Sequence, residues 1–201
     1  MIIFTQNLKM KVLLIDFEYS QLCASIRNRL TAEGHECLTA LAIPTSAIPA
    51  IKTGNSIDRA IHRLLANISD SRHLHSARST YNLLSSIVTK APDVVHILNT
   101  DECYLNMPLL SEILNRFRIP TIMTLTTPES LYQNRQALIK REKHNLQTME
   151  AILYAWETLN IVVEDRAKSE HPLFVDKPVY IIDSTSPDVP AQYLSLYDNL
   201  S

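Results

Sequence analysis

Side chains able to do acid–base or hydrogen-bonding chemistry gather in two short stretches of this 201-residue chain. In the first, Asp16-Phe-Glu-Tyr-Ser20, the carboxyl groups of Asp16 and Glu18 and the phenol of Tyr19 follow an apolar run. The second stretch follows another apolar run and supplies His96, Asn99, Asp101, Glu102, Tyr104 and Asn106. Carboxylates and imidazoles can transfer protons, whereas amides and phenols can hydrogen-bond a polar ligand.

Each candidate also has a purely structural interpretation. Asp16 either orders its loop by capping the next helix or contacts a ligand directly. His96 lies inside an apolar strand, so it is either a hydrogen-bonded core residue or a binding group. Asn106 is either a helix cap or a ligand contact. The pair Asp101-Glu102 is either an acid/base site or a solvated acidic loop, and no visible partner poises either carboxyl group.

Composition narrows the class of protein. Hydrophobic residues make up 46% and charged residues 20%, which is typical of one soluble globular domain. The net charge of -2 argues against nucleic acid as a partner. Ten Lys/Arg against six Asp/Glu in residues 1–90 allow at most a peripheral contact with an anionic membrane, or simply a solvated basic face.

Cellular location and metal binding are constrained by what the sequence lacks. The apolar run Val12–Ile15 is too short for a signal peptide or a membrane span, so we expect a cytoplasmic protein. The 3 cysteines show no C-x-x-C spacing, which favours free thiols over a zinc site or a disulfide framework. We therefore expect no bound metal.

Short apolar runs alternate with helical periodicity along most of the chain. This pattern predicts a single α/β Rossmann-like, doubly wound domain with a mainly parallel sheet over residues 1–184, followed by a tail over 185–201. Ligands of such sheets bind at the carboxyl ends of the strands. No G-x-G-x-x-G is present, so we expect no dinucleotide cofactor. The strands are predicted at 11–15, 37–41, 94–98, 121–125, 161–163 and 179–182.

The helices are predicted from apolar spacing. Residues 57–68 form one amphipathic helix, after an irregular connection over 43–56. Residues 76–90 form another, with a buried face of Tyr81, Leu84, Ile87 and Val88. Gly34 is placed to end the first helix of the chain, and Asn106 and Pro108 to begin a helix through Phe117.

A resemblance enters at the middle of the chain. Pro92-Asp-Val-Val-His-Ile-Leu-Asn99, Tyr104-Leu-Asn-Met-Pro-Leu-Leu110 and Ile119-Pro-Thr-Ile-Met-Thr-Leu125 resemble bacterial family-4 glycosyltransferases. Those enzymes read roughly P-D-V-V-H-x-H-N-x-H-G-Y-Y-x-N-x-P-x-L, then I-P-V-V-W-T-L-H-D. Upstream, Ser69–Ser76 with Thr80 resembles the family's D-R-x-G-x-x-S-x-x-x-T stretch.

The resemblance implies the acceptor-side half of a GT-B fold, with a role in polysaccharide or glycoconjugate synthesis. It implies that the nucleotide-sugar contacts, including a paired-glutamate motif, belong to a second domain that this chain lacks. Asn99, Tyr104 and Asn106 match the family pattern and become the best candidates for contacting a sugar acceptor.

Several positions depart from that pattern. The family's glycine-rich first turn is Asp16–Ser20 here, its second histidine is Leu98, and its H-G pair is Asp101-Glu102. Its H-D pair becomes Thr126-Thr127, whose hydroxyls can bind a sugar but are poor general bases. An acidic rim hostile to a nucleotide diphosphate is predicted from Asp16, Asp101, Glu102, Glu129 and Asp183.

These departures predict no transferase activity for the chain alone and leave three functions open. The chain is an inactive half that binds a partner protein or a sugar polymer, or the acceptor-binding subunit of a split enzyme completed by a donor-binding chain. In the second case the tail Tyr193–Leu200 docks the partner, because its Tyr and Leu side chains are otherwise exposed. The third is a receiver-like signalling module, which only Asp16 favours.

Overall fold

The fold is taken from a computed structural model that describes residues 9–53, 57, 60, 77–98, 105–125, 151–164 and 176–201. The strands are β1 (Lys11–Asp16), β2 (Glu36–Leu41), β3 (Ile51–Lys52), β4 (Val94–Ile97), β5 (Thr121–Leu125), β6 (Leu159–Val163) and β7 (Val179–Ile181). The helices are α1 (Gln21–Ala32), α2 (Ala77–Lys90), α3 (Met107–Arg116) and α4 (Val189–Leu200), and residues 151–155 are also helical.

The strands form one parallel sheet in the order β3-β2-β1-β4-β5-β6-β7. β1 lies at the point where the strand order reverses, with β2 and β3 on one side and β4 to β7 on the other: Lys11 pairs with Glu36 of β2, and Val12 pairs with Val94 of β4. Strands that are buried on both faces have nearly continuous apolar sequences, which is why most of these strands could be predicted from the sequence. The predicted α/β, Rossmann-like fold is confirmed.

Two apolar cores cover the two faces of the sheet. On one face, Leu13 and Ile15 pack in a cluster that includes residues of α2, α3 and the segment 151–156. On the other face, Val12 and Leu14 pack in a cluster that includes residues of α1 and α4. Because successive side chains of a strand point to opposite faces, one short run of β1 supplies both cores.

Helix α1 begins and ends with ordinary capping chemistry. The Ser20 hydroxyl accepts the backbone N–H of Cys23, which satisfies a donor that the first turn leaves free. Gly34 has φ of +86°, the left-handed conformation in which a Cβ is unfavourable. The predicted end of this helix at Gly34 is confirmed.

The C-terminal segment differs from its prediction. Residues 189–200 were expected to lie in an exposed tail, yet they form α4, whose Tyr193, Leu194, Leu196 and Tyr197 are buried. The Asp188 side chain accepts the Ala191 N–H, and Pro190 is tolerated in the first turn, so the Ser/Pro-rich stretch starts a helix. The prediction that the Tyr and Leu side chains of this segment are exposed and dock a partner is therefore wrong.

Two further predictions need correction. Tyr81 and Val88 of α2 are 60% and 55% exposed, because the buried stripe instead follows residues 79, 80, 83, 84 and 87. The connection predicted as irregular contains β3, which the sequence did not reveal because it is only two residues long. The helix predicted over 57–68 lies outside the described residues, apart from positions 57 and 60.

Candidate functional site

The candidate site is the carboxyl edge of the sheet where β1 and β4 lie side by side. In open parallel sheets ligands bind at such a reversal of strand order. The turn after β1 is fixed on both sides: Leu98 N–H donates to the Ile15 carbonyl (2.9 Å), and Ile43 N–H donates to the Phe17 carbonyl (2.8 Å). The turn Asp16–Ser20 is therefore held in place at this edge of the sheet, where a ligand would contact it.

Asp16 is bonded within its own turn. Its side chain is buried, with 2% exposure, and accepts the Phe17 N–H at 2.8 Å and the Ser20 hydroxyl at 2.5 Å. Burial raises the pKa of Asp16, and the bonds from Ser20 and Phe17 offset part of that rise. Ser20, not Asp16, caps α1, so Asp16 orders the turn by holding the cap in place.

The turn offers little to an anion. A phosphate at the start of a helix binds backbone N–H groups through a glycine-lined turn. Here the Phe17 N–H and the Ser20 hydroxyl donate to Asp16, and the Cys23 N–H donates to Ser20. Glu18 is exposed, while Tyr19 is half-buried against the second core and burial raises its pKa.

His96 belongs to a buried hydrogen-bond network. It has no exposed surface; Nδ1 lies 2.6 Å from the Tyr197 hydroxyl and Nε2 lies 2.7 Å from the Thr124 hydroxyl. The Thr124 hydroxyl is in turn 3.1 Å from the Tyr193 hydroxyl. Burial lowers the pKa of His96 to about 3, so its imidazole is neutral near pH 7. The structural interpretation of His96 therefore agrees with its surroundings, since a ligand at the sheet edge does not reach it.

Asn106 is the N-cap of α3. Its side-chain oxygen accepts the Leu109 N–H at 3.0 Å, and its own N–H donates to the Thr80 hydroxyl of α2 at 2.8 Å. This second bond joins two sequence stretches that are 26 residues apart. The capping interpretation of Asn106 matches the geometry, and the residue also ties α2 to α3.

The remaining candidates do not form one described cluster. Asp183 is exposed and follows β7, four strands from Asp16, or about 19 Å at about 4.8 Å per strand. It accepts two bonds from Thr185, which lower its pKa. Among the described residues no His/Cys/Asp/Glu group could hold a metal ion. Outside the described residues lie Asn99, Asp101, Glu102, Tyr104, Thr126, Thr127 and Glu129.

Sequence reasoning missed the partners of His96. Tyr193 and Tyr197 are four residues apart, which places them on one face of a helix. Thr124 is the one hydroxyl in the run Met123–Leu125, and His96 is likewise polar between apolar neighbours. These two signals predict a shared polar site only when the register of β4 and β5 is known, where His96 pairs with Ile122.

The cysteines described in the structure are not activated nucleophiles. Burial raises the pKa of Cys23 to about 12 and that of Cys37 to about 11. Both thiols therefore stay protonated near neutral pH, and a thiolate is the form that attacks a substrate or binds a metal.

Fold and site together define a Rossmann-like α/β protein whose first turn is closed by its own carboxylate. No protein-family model matches the chain, and no curated protein matches it either. In the part of the chain that the structure describes, no helix combines the length and apolar character that crossing a bilayer requires.

Proposed function

We propose that this chain is the acceptor-side half of a family-4-like GT-B glycosyltransferase and has no transferase activity on its own. It binds a sugar acceptor or a partner protein that supplies the donor-binding half, in the cytoplasm. Its role lies in the synthesis of a bacterial polysaccharide or glycoconjugate. The observation that carries the proposal is the turn after β1, where Asp16 accepts the Phe17 N–H and the Ser20 hydroxyl, two donors that a phosphate at the start of α1 could otherwise use.

Charge strengthens this argument. An ionised carboxylate and a phosphate charge about 5 Å apart repel by about 3 kcal/mol at an effective dielectric constant of about 20. That energy corresponds to a loss of about 100-fold in affinity. A nucleotide diphosphate therefore gains little at the start of α1, although the strand order resembles that of nucleotide-binding sheets.

The stretches that resemble the family support the acceptor side of the proposal. Thr80 and Asn106 come from two separate stretches of this kind, and they share a hydrogen bond at the start of α3. The segment between Leu98 and Leu105 starts from the carboxyl end of β4, where the fold binds ligands. We propose that Asn99 and Tyr104 in this segment, with Thr126 and Thr127 after β5, contact the acceptor.

The same contacts disfavour a receiver-like module. Such a module uses a carboxylate after its first strand to bind a cation. Asp16 is buried, and its two oxygens accept bonds from Phe17 and Ser20. The end of β4 offers the apolar residues Ile97 and Leu98, neither of which can accept a phosphoryl group.

Calorimetric titration of the purified chain with UDP and GDP tests the proposal. We expect no binding below millimolar concentrations, and no nucleotide release from UDP-glucose or GDP-mannose with or without a neutral oligosaccharide. Asp16→Asn removes one charge but keeps an oxygen for Phe17, and Asp183→Asn is the matched control at an exposed site. Tight UDP binding by the wild-type chain, or turnover that Asn99→Ala abolishes, would refute the proposal.

A second experiment distinguishes an inactive binding subunit from the acceptor-binding subunit of a split enzyme. Affinity capture from the native source, followed by the same nucleotide-release assay on the recovered complex, detects a donor-binding chain. Turnover that appears only in the complex identifies a split enzyme. A complex without turnover identifies an inactive binding subunit.

A further inference from the structure

We draw no further inference here: the strongest candidate, the buried cluster of His96, Thr124, Tyr193 and Tyr197 between the sheet and α4, carries nothing beyond the packing already described, because these side chains bond to one another and are almost completely closed to solvent.

Discussion

Tyr197→Phe removes a single oxygen from the buried network and isolates the contribution of its bond to His96. The Tyr197 hydroxyl lies 2.6 Å from His96 Nδ1, and neither residue is exposed. Without it, a buried ring nitrogen loses its partner, which costs about 1–3 kcal/mol. For a domain whose free energy of unfolding is about 5–15 kcal/mol, this loss is large.

Urea denaturation followed by circular dichroism measures that free energy. The control is Tyr81→Phe, which removes the same atom from a side chain that is 60% exposed, and should change stability by less than about 0.5 kcal/mol. A double-mutant cycle with His96→Leu is the sharper test, because removing Tyr197's hydroxyl then leaves no orphaned nitrogen. Equal costs of Tyr197→Phe in the wild-type and His96→Leu backgrounds would contradict the assigned bond.

Three further predictions concern acid stability and the caps of α1. His96 has a folded-state pKa of about 3 against 6.5 in the unfolded chain, so the unfolded state binds more protons between these values. The contribution of His96 to the free energy of unfolding should therefore be fully present above pH 6.5 and be lost towards pH 3, by up to roughly 5 kcal/mol. Asp16 has a raised pKa, so its protonation stabilises the folded state as the pH falls, opposite to the effect of His96. The measurement therefore compares the urea midpoints of the wild type and of His96→Leu at pH 7 and at pH 4. Equal changes in midpoint for the two proteins would rule out His96 as the cause. Ser20→Ala should cost about 1–2 kcal/mol, because Cys23 N–H loses its acceptor and Asp16 loses a donor; Ser25→Ala, whose hydroxyl only donates to Leu22 within the helix, is the control and should cost clearly less. Gly34→Ala should cost about 1 kcal/mol and lower the melting temperature, since its φ of +86° strains any residue with a Cβ; an unchanged melting temperature would show that the cap is not held in this conformation.

Most of the sheet was predictable because every strand except β3 has its own local signal. Runs such as Val94–Leu98 and Thr121–Leu125 are mainly apolar, apart from His96 and two threonines, and are bounded by Pro or polar residues. Such runs are typical of strands buried between helices. The two-residue β3 lacks that signal, since its pairing with β2 depends on where the rest of the sheet lies.

Helix faces were harder to predict than helices. Tyr81 and Val88 fit the apolar spacing of α2, but the contacting stripe includes the polar Ser79 and Thr80. Thr80 is buried because it accepts the Asn106 N–H from a distant segment, which no local pattern can show.

The candidate site was likewise predictable only in part. The position of Asp16 at a strand end could be predicted from the sequence, and so could a capping role in its turn. That Ser20 is the cap, and Asp16 its support, depends on side-chain geometry. The partners of His96 lie 28 and 101 residues away, so its environment follows only from the register of β4 and β5 and from the packing of α4.

The late position of α4 bears on how the protein is made. Translation delivers β1 through β6 first, and α4 is complete only at Leu200, which is synthesised roughly 2–7 s after Val163 at about 5–20 residues per second. During that interval α1 is the one described helix of the cluster that covers Val12, Leu14 and Val94, and His96 still lacks its partner Tyr197. The nascent chain thus exposes apolar surface until α4 has been synthesised, and chaperones that bind apolar segments can protect it during that time.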